Sequence, residues 1–240
     1  ASGGPIALAE RVGAFLAIHG LEENEKRRLH IGFSAGRFEF MARPYGIVPR
    51  DKLEEVSWPA LRGQIFAEAS EIFLRLLNGE VISSDMISST ILTRDNFRSN
   101  EDWLNVQITA KELNELEMLP EKIEIPNRYT FEQIKTIPQD WRRDLLNLVL
   151  GSHDPNLQIE VNKWRPVQVF NLSITPPHII EETHERMRHN YHPDGGIWNR
   201  SMMPRTIMVF VNNEEGLSPE EQSIAARKEA EAALNTYWSA

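Results

Sequence analysis

The stretch "WPALRGQIFAEASEIFLRLL" constrains the fold more than any other part of the chain. Leu61, Ile65, Ala69, Ile72, Phe73 and Leu76 recur at helical spacing on one face, and Asn78-Gly79 supplies a stop. An apolar stripe this broad must be covered by other elements, so the helix is the expected core pillar, with Ser57 as its expected cap. With 240 residues, of which 41% are hydrophobic, the chain has the apolar mass to cover it.

Shorter patterned segments surround the pillar. Residues 5–19 place Leu8, Val12, Phe15 and Leu16 on one helical face, with Gly20 as stop. Residues 30–42 alternate Ile31 and Phe33, then Phe38 and Phe40, about Ser34-Ala35-Gly36, which predicts a hairpin. "WLNVQIT" (103–109) reads as a strand, Thr109 with Glu112 as a capping box opening a helix, and "KIEIP" as a strand. Residues 138–151 read as a helix closed by Gly151, and "LQIEVNKW" with "VQVFNLSIT" as paired strands. Ser218-Pro219-Glu220-Glu221 opens a last helix, with the cap, the first-turn proline and the acid in order. The expected class is α+β: helices on short, mostly antiparallel strands, with a C-terminal helical segment. "GSHDPN" (151–156) clusters turn formers and marks the expected boundary between an N-terminal region, 1–151, and a C-terminal one, 157–240.

Several function classes are excluded by what the chain lacks. With no cysteine, it has no disulfide, thiolate zinc site or cysteine nucleophile, and it is compatible with a reducing compartment. No apolar run reaches the roughly 18 to 20 residues of a membrane span, and no secretory pattern is present. The opening "ASGGP" lacks an initiator Met and reads as a processed end. A net charge of −9, with basic residues in short pairs such as Arg27-Arg28 and Arg142-Arg143, argues against a nucleic-acid backbone as partner.

"GFSAG" (32–36) matches the turn that exposes a nucleophilic serine in α/β-hydrolases. Only 31 residues precede it and an alternating segment follows, so Ser34 is not expected to be catalytic. Three of the seven histidines, His184, His189 and His192, lie close together. Glu181-x-x-His184 lacks the second pair that a di-iron bundle needs, and His192-x-Asp194 lacks the later histidine of an iron triad. Neither a metal nor a cofactor is expected, and the chain is read as a non-enzyme.

On a helical wheel, residues 178–191 put Ile180, Thr183, His184, Met187 and Tyr191 on one face and His178, Glu182, Glu185 and His189 on the other. Pro176 and Pro177 suit the first turn with Thr175 as cap, and Pro193 ends the helix, leaving His192-Pro193-Asp194 on a loop. The spacing of Ile180, Thr183, His184, Met187, Tyr191 and His192-Pro193-Asp194 resembles the second helix and loop of the J-domain of co-chaperones. Leu172-Ser173-Ile174 resembles the end of that domain's first helix, and Ile207, Phe210 and Leu217 keep part of the third-helix spacing. The resemblance covers roughly 169–217. It implies an adaptor for a heat-shock ATPase chaperone, contacting its partner through His192, Pro193, Asp194, Arg186 and Arg188. A structural subunit of a larger assembly, pairing with copies of itself or with other proteins, is the alternative expectation.

Overall fold

The apolar stripe of the pillar sits on a helix that starts earlier than Ser57. Asp51 accepts a hydrogen bond from the Glu54 amide (2.8 Å) and caps it, while Ser57 Oγ donates to the Leu53 carbonyl (2.6 Å) from inside the helix. The computed structural model describes residues 4–35 and 43–239. In chain order their elements are α1 (Gly4–His19), β1 (Leu29–Phe33), α2 (Lys52–Leu77), β2 (Thr90–Leu92), α3 (Asn100–Leu113), β3 (Ile123–Ile125), β4 (Leu146–Leu150), α4 (Pro155–Val161), β5 (Val167–Val169), α5 (Pro177–Asn190) and α6 (Pro219–Ser239). The class is α+β. No helix of the described residues is long and apolar enough to cross a membrane.

The larger sheet is parallel, in the order β1-β4-β5, which corrects the expectation of mostly antiparallel strands. Among the described residues β2 and β3 pair antiparallel, and an isolated antiparallel bridge joins Ile82 to Ile134. β1 pairs in parallel with β4, with Ile31 opposite Leu148. Gly36, Phe38 and Phe40 of the expected hairpin lie outside the described residues. The segment expected as a helix over 138–151 holds β4, and "LQIEV" is the helix α4. β4, α4 and β5 therefore form a β-α-β unit. The expected domain boundary at 151–156 is the turn inside that unit, with both flanking strands in one sheet.

Alternation divides the sheet into two faces. Ile31, Phe33, Leu148, Leu150 and Val167 turn toward α1, the second half of α2 and α4, where Leu16, Ile72, Leu76, Leu157 and Val161 complete the main core. The opposite face carries a polar row: Asn147 Nδ2 lies 2.9 Å from His30 Nδ1 and donates to Gln168 Oε1 at 3.1 Å, linking all three strands. The first half of α2 packs on α3 and the β2-β3 pair through Leu61, Ile65, Trp103, Val106, Leu92 and Ile125. This packing explains the failure of the strand reading for 103–109. Trp103, Val106 and Ala110 bury at helical spacing, Ser99 caps α3, and Thr109 Oγ1 only back-bonds to the Asn105 carbonyl.

A third, smaller core sits under α5. Thr183 and Met187 are buried, and Met187 packs with Val169, Trp198 and Met203. Pro176, not Thr175, precedes the helix as its cap residue. Beyond it, residues 206–211 form neither strand nor helix, and only an isolated parallel bridge between Asn171 and Arg205 extends from β5. α6 keeps its predicted capping box: Glu221 accepts from the Ser218 amide at 2.8 Å.

Candidate functional site

Three parallel strands end on one edge, and the residues following them gather there. β1 runs out into Ser34, β4 into Gly151-Ser152-His153, and β5 into Phe170-Asn171. The Gly151 amide donates to the Phe33 carbonyl (2.8 Å) and the Phe170 amide to the Leu150 carbonyl (2.9 Å), so the ladder continues past each strand end and fixes their spacing. Gly151 is required here. A β-carbon on it would lie 2.9 Å from the β-carbon of Ser34, closer than packed side chains approach.

The turn after β4 is held from below. Asp154 accepts from the Asn156 amide (2.9 Å), Pro155 occupies the first helical position, and Gln158 Nε2 donates to the Ser152 carbonyl (2.8 Å). Ser34 and His153 stay exposed above this frame. At the end of β5 the Asn171 backbone is occupied on both sides, its amide donating to the Pro204 carbonyl and its carbonyl accepting from Thr206. Its side chain is different. Asn171 Nδ2 and, four residues on, Thr175 Oγ1 are buried atoms with no hydrogen-bond partner among the described residues. Leaving such atoms unpaired costs roughly 1–3 kcal/mol each.

A cleft of about 200 Å³ between α2 and α4 offers less. Its carboxylates are already committed. Glu68 accepts from the amides of Arg128 (3.1 Å) and Tyr129 (2.9 Å), Glu71 pairs with Arg75 (3.1 Å), and Glu160 with Lys163 (2.6 Å). Burial pushes the Glu68 carboxyl above its ordinary value, against the pull of those amides and of Arg50 and Arg128.

The residues singled out in the sequence fall elsewhere. His192-Pro193-Asp194 lies beyond the C-terminal end of α5. The imidazole Nδ1 accepts from the Asp194 amide (3.2 Å), while the His192 amide donates to Asn162 Oδ1 (3.3 Å). The half-buried imidazole thus caps the short turn that follows, and Pro193 and Asp194 are exposed. Arg186, half-buried, donates to Gln158 Oε1 (2.9 and 3.1 Å), tying α5 to α4. Arg188 is exposed and pairs with Glu185 (2.9 Å). His184 accepts from Trp198 Nε1 (3.0 Å), and Arg200 holds the Glu181 carboxyl below its ordinary value. Among the described residues no three His, Asp or Glu converge in a way that could hold a metal ion. Ser34 has no hydrogen-bonded base among them either.

Of the segments that carry the J-domain resemblance, residues 177–190 have the helical form. Residues 167–169 are strand, 171–175 turn, and the span 206–217 contains no helix. In the sequence Ser34 stands out only within GFSAG and Gly151 to His153 only within GSHDPN, neither of which points to a shared edge, and Asn171 belongs to no motif. The readable signal was the apolar run "LLNLVL" broken by Gly-Ser and then Asp-Pro, the pattern of a buried parallel strand entering a helix. No protein-family model, curated protein or solved structure matches the chain.

Proposed function

We propose that the chain binds a small polar ligand at the carboxyl edge of β1, β4 and β5, with Ser34, Gly151, Ser152 and His153 meeting it first. One observation carries the reading: three parallel strands end together on these residues. In α/β sheets ligands settle outside the carboxyl ends of the strands, because rigid strands there present turns that are free to vary. The exposed Ser34 hydroxyl and His153 imidazole can both donate, so the ligand offers acceptor oxygens such as those of a carboxylate, an amide carbonyl or a phosphate ester. The reading is one of binding, with no catalytic residue assigned.

The test is amide shift mapping by NMR against a panel of small carboxylates, amides and phosphate esters. A ligand of the right class should move the amides of Ser34, Gly151, Ser152 and Asn171, and Gly151→Ala should weaken it at least tenfold by pushing Ser34 away. A binder that perturbs other residues and ignores Gly151→Ala would overturn the reading.

A second reading, an adaptor acting on a heat-shock ATPase chaperone, draws on the register of α5 and on the exposure of Pro193 and Asp194 past its end. Its measurement is chaperone turnover with the wild type and with His192→Gln. Stimulation that disappears in the variant is the expected sign, and turnover unchanged by either protein sinks it.

A further inference from the structure

The opposite, amino edge of the same sheet carries arginines. Arg28 precedes β1, Arg143 stands three residues before β4, and Arg165 two residues before β5. Two of them converge on the C-terminal end of α2, where Arg143 Nε donates to the Leu77 carbonyl at 3.1 Å. Arg165 Nη1 reaches the same oxygen at 3.5 Å and Asn78 Oδ1 at 3.4 Å. Two guanidinium groups sharing one carbonyl oxygen lie within a few ångströms of each other.

Neither is neutralised. Among the described residues, neither Arg143 nor Arg165 forms an ion pair with a carboxylate. Arg143 spends its other bond on the Gln139 carbonyl (3.1 Å) and lies over the Trp141 ring, 4.6 Å from its centre. Arg165 has only its two long contacts, so Nε and Nη2 are without a protein acceptor among the described residues. Burial lowers the Arg165 guanidinium to about 10, and the positive charge of Arg143 adds to the effect. Asp194, exposed on the loop after α5, works the other way without closing an ion pair. The carbonyl end of α2 favours one cation, but a desolvated second one with unused donors exceeds what a helix end requires.

We infer that Arg143 and Arg165 form a site for a phosphate group, bound as a dianion between the two guanidinium forks at the amino edge of the sheet. The planar forks match paired oxyanion oxygens, and the two positive charges match a dianion. Gly79 leaves the room: a β-carbon there would lie 2.7 Å from Arg143 Nη2. This site is separate from the carboxyl edge, and its ligand would link α2 to the entries of β4 and β5.

Inorganic phosphate is the probe. Thermal unfolding is followed at pH 8 as phosphate is raised and chloride lowered at constant ionic strength. The chain's net charge of −9 disfavours diffuse anion binding, so a saturable rise reports a local site. The wild-type midpoint should rise by about 3 to 6 °C at ten times the dissociation constant. Arg165→Gln should abolish the rise, and Arg143→Lys, which keeps the charge and loses the fork, should weaken binding at least tenfold. If Arg165→Gln does not fold, Arg143→Lys is read alone, with phosphorus NMR line broadening as the second measure. A wild-type midpoint that moves no more with phosphate than with chloride overturns the site, as does an Arg143→Lys response equal to that of the wild type.

Discussion

Replacing Glu54 by alanine is expected to destabilise the fold by about 3–5 kcal/mol, the usual cost of leaving one partner of a buried pair alone. The side chain of Glu54 is 4% exposed and stands between two arginines. It accepts from the Arg50 amide (2.7 Å), from Arg50 Nε (2.8 Å) and from Arg128 Nη2 (2.9 Å). Arg50 goes on to the carbonyls of Pro126 and Asn127, and Arg128 to that of Val48, so the carboxylate joins the start of α2 and the segment just before it to the remote loop at 126–128. The arginines respond unequally to its loss. Arg50 is 38% exposed and relaxes into water, whereas Arg128 is 11% exposed and keeps its desolvation cost. Glu55, next along the helix, pairs with Lys52 in the open and gives the contrast: Glu55→Ala should cost well under about 1 kcal/mol. Urea unfolding of the two variants checks both. A Glu54→Ala loss no larger than that of Glu55→Ala would mean that the network contributes nothing to stability.

How far the fold could be read beforehand depended on where each element's information lies. α1, α2, α5 and α6 carry their own apolar spacing and their own stop or cap, so they were legible, although the start of α2 was not. Asp51 is an ordinary N-cap hidden behind the more conspicuous Ser57. The strands were harder. Leu146–Leu150 is buried on its helix side in a parallel sheet, so it reads as a near-continuous apolar run that a helix could equally supply. Its partner β1 pairs with it across a separation of 117 residues, as at His30 and Asn147, which no local pattern reveals. Trp103 to Thr109 failed the other way, because β-branched and aromatic residues favour a strand until the face of α2 demands helical spacing.

The same contrast applies to function. His192-Pro193-Asp194 stood out as letters, yet a cap, a turn and an exposed acid account for its local form. Ser34 was conspicuous only for a hydrolase turn, Gly151 only as a helix stop and Asn171 not at all; the three acquire meaning when parallel topology brings three strand ends to one edge.

Leu150 links that topology to stability, and Leu150→Ala is expected to cost about 2–5 kcal/mol. The side chain is fully buried in the middle strand, opposite Phe33 on one side and Val169 on the other. The helix layer beneath cannot follow its truncation, because the ladder on both sides of β4 holds the strand in place, so a cavity remains. For a chain of this size the unfolding midpoint should fall by roughly 10 °C. Val209→Ala supplies the comparison. Val209 is equally apolar but 75% exposed in an irregular segment, and its loss should stay within about 0.5 kcal/mol. Leu150 also lies directly before Gly151 and accepts from the Phe170 amide, so the void opens beside the strand end that lies between Ser34 and Asn171. Ligand binding there should weaken in Leu150→Ala even well below its midpoint, while Val209→Ala leaves it unchanged. Equal losses of stability in the two variants would remove β4 from the centre of the core, and with it the frame on which the proposed site is built.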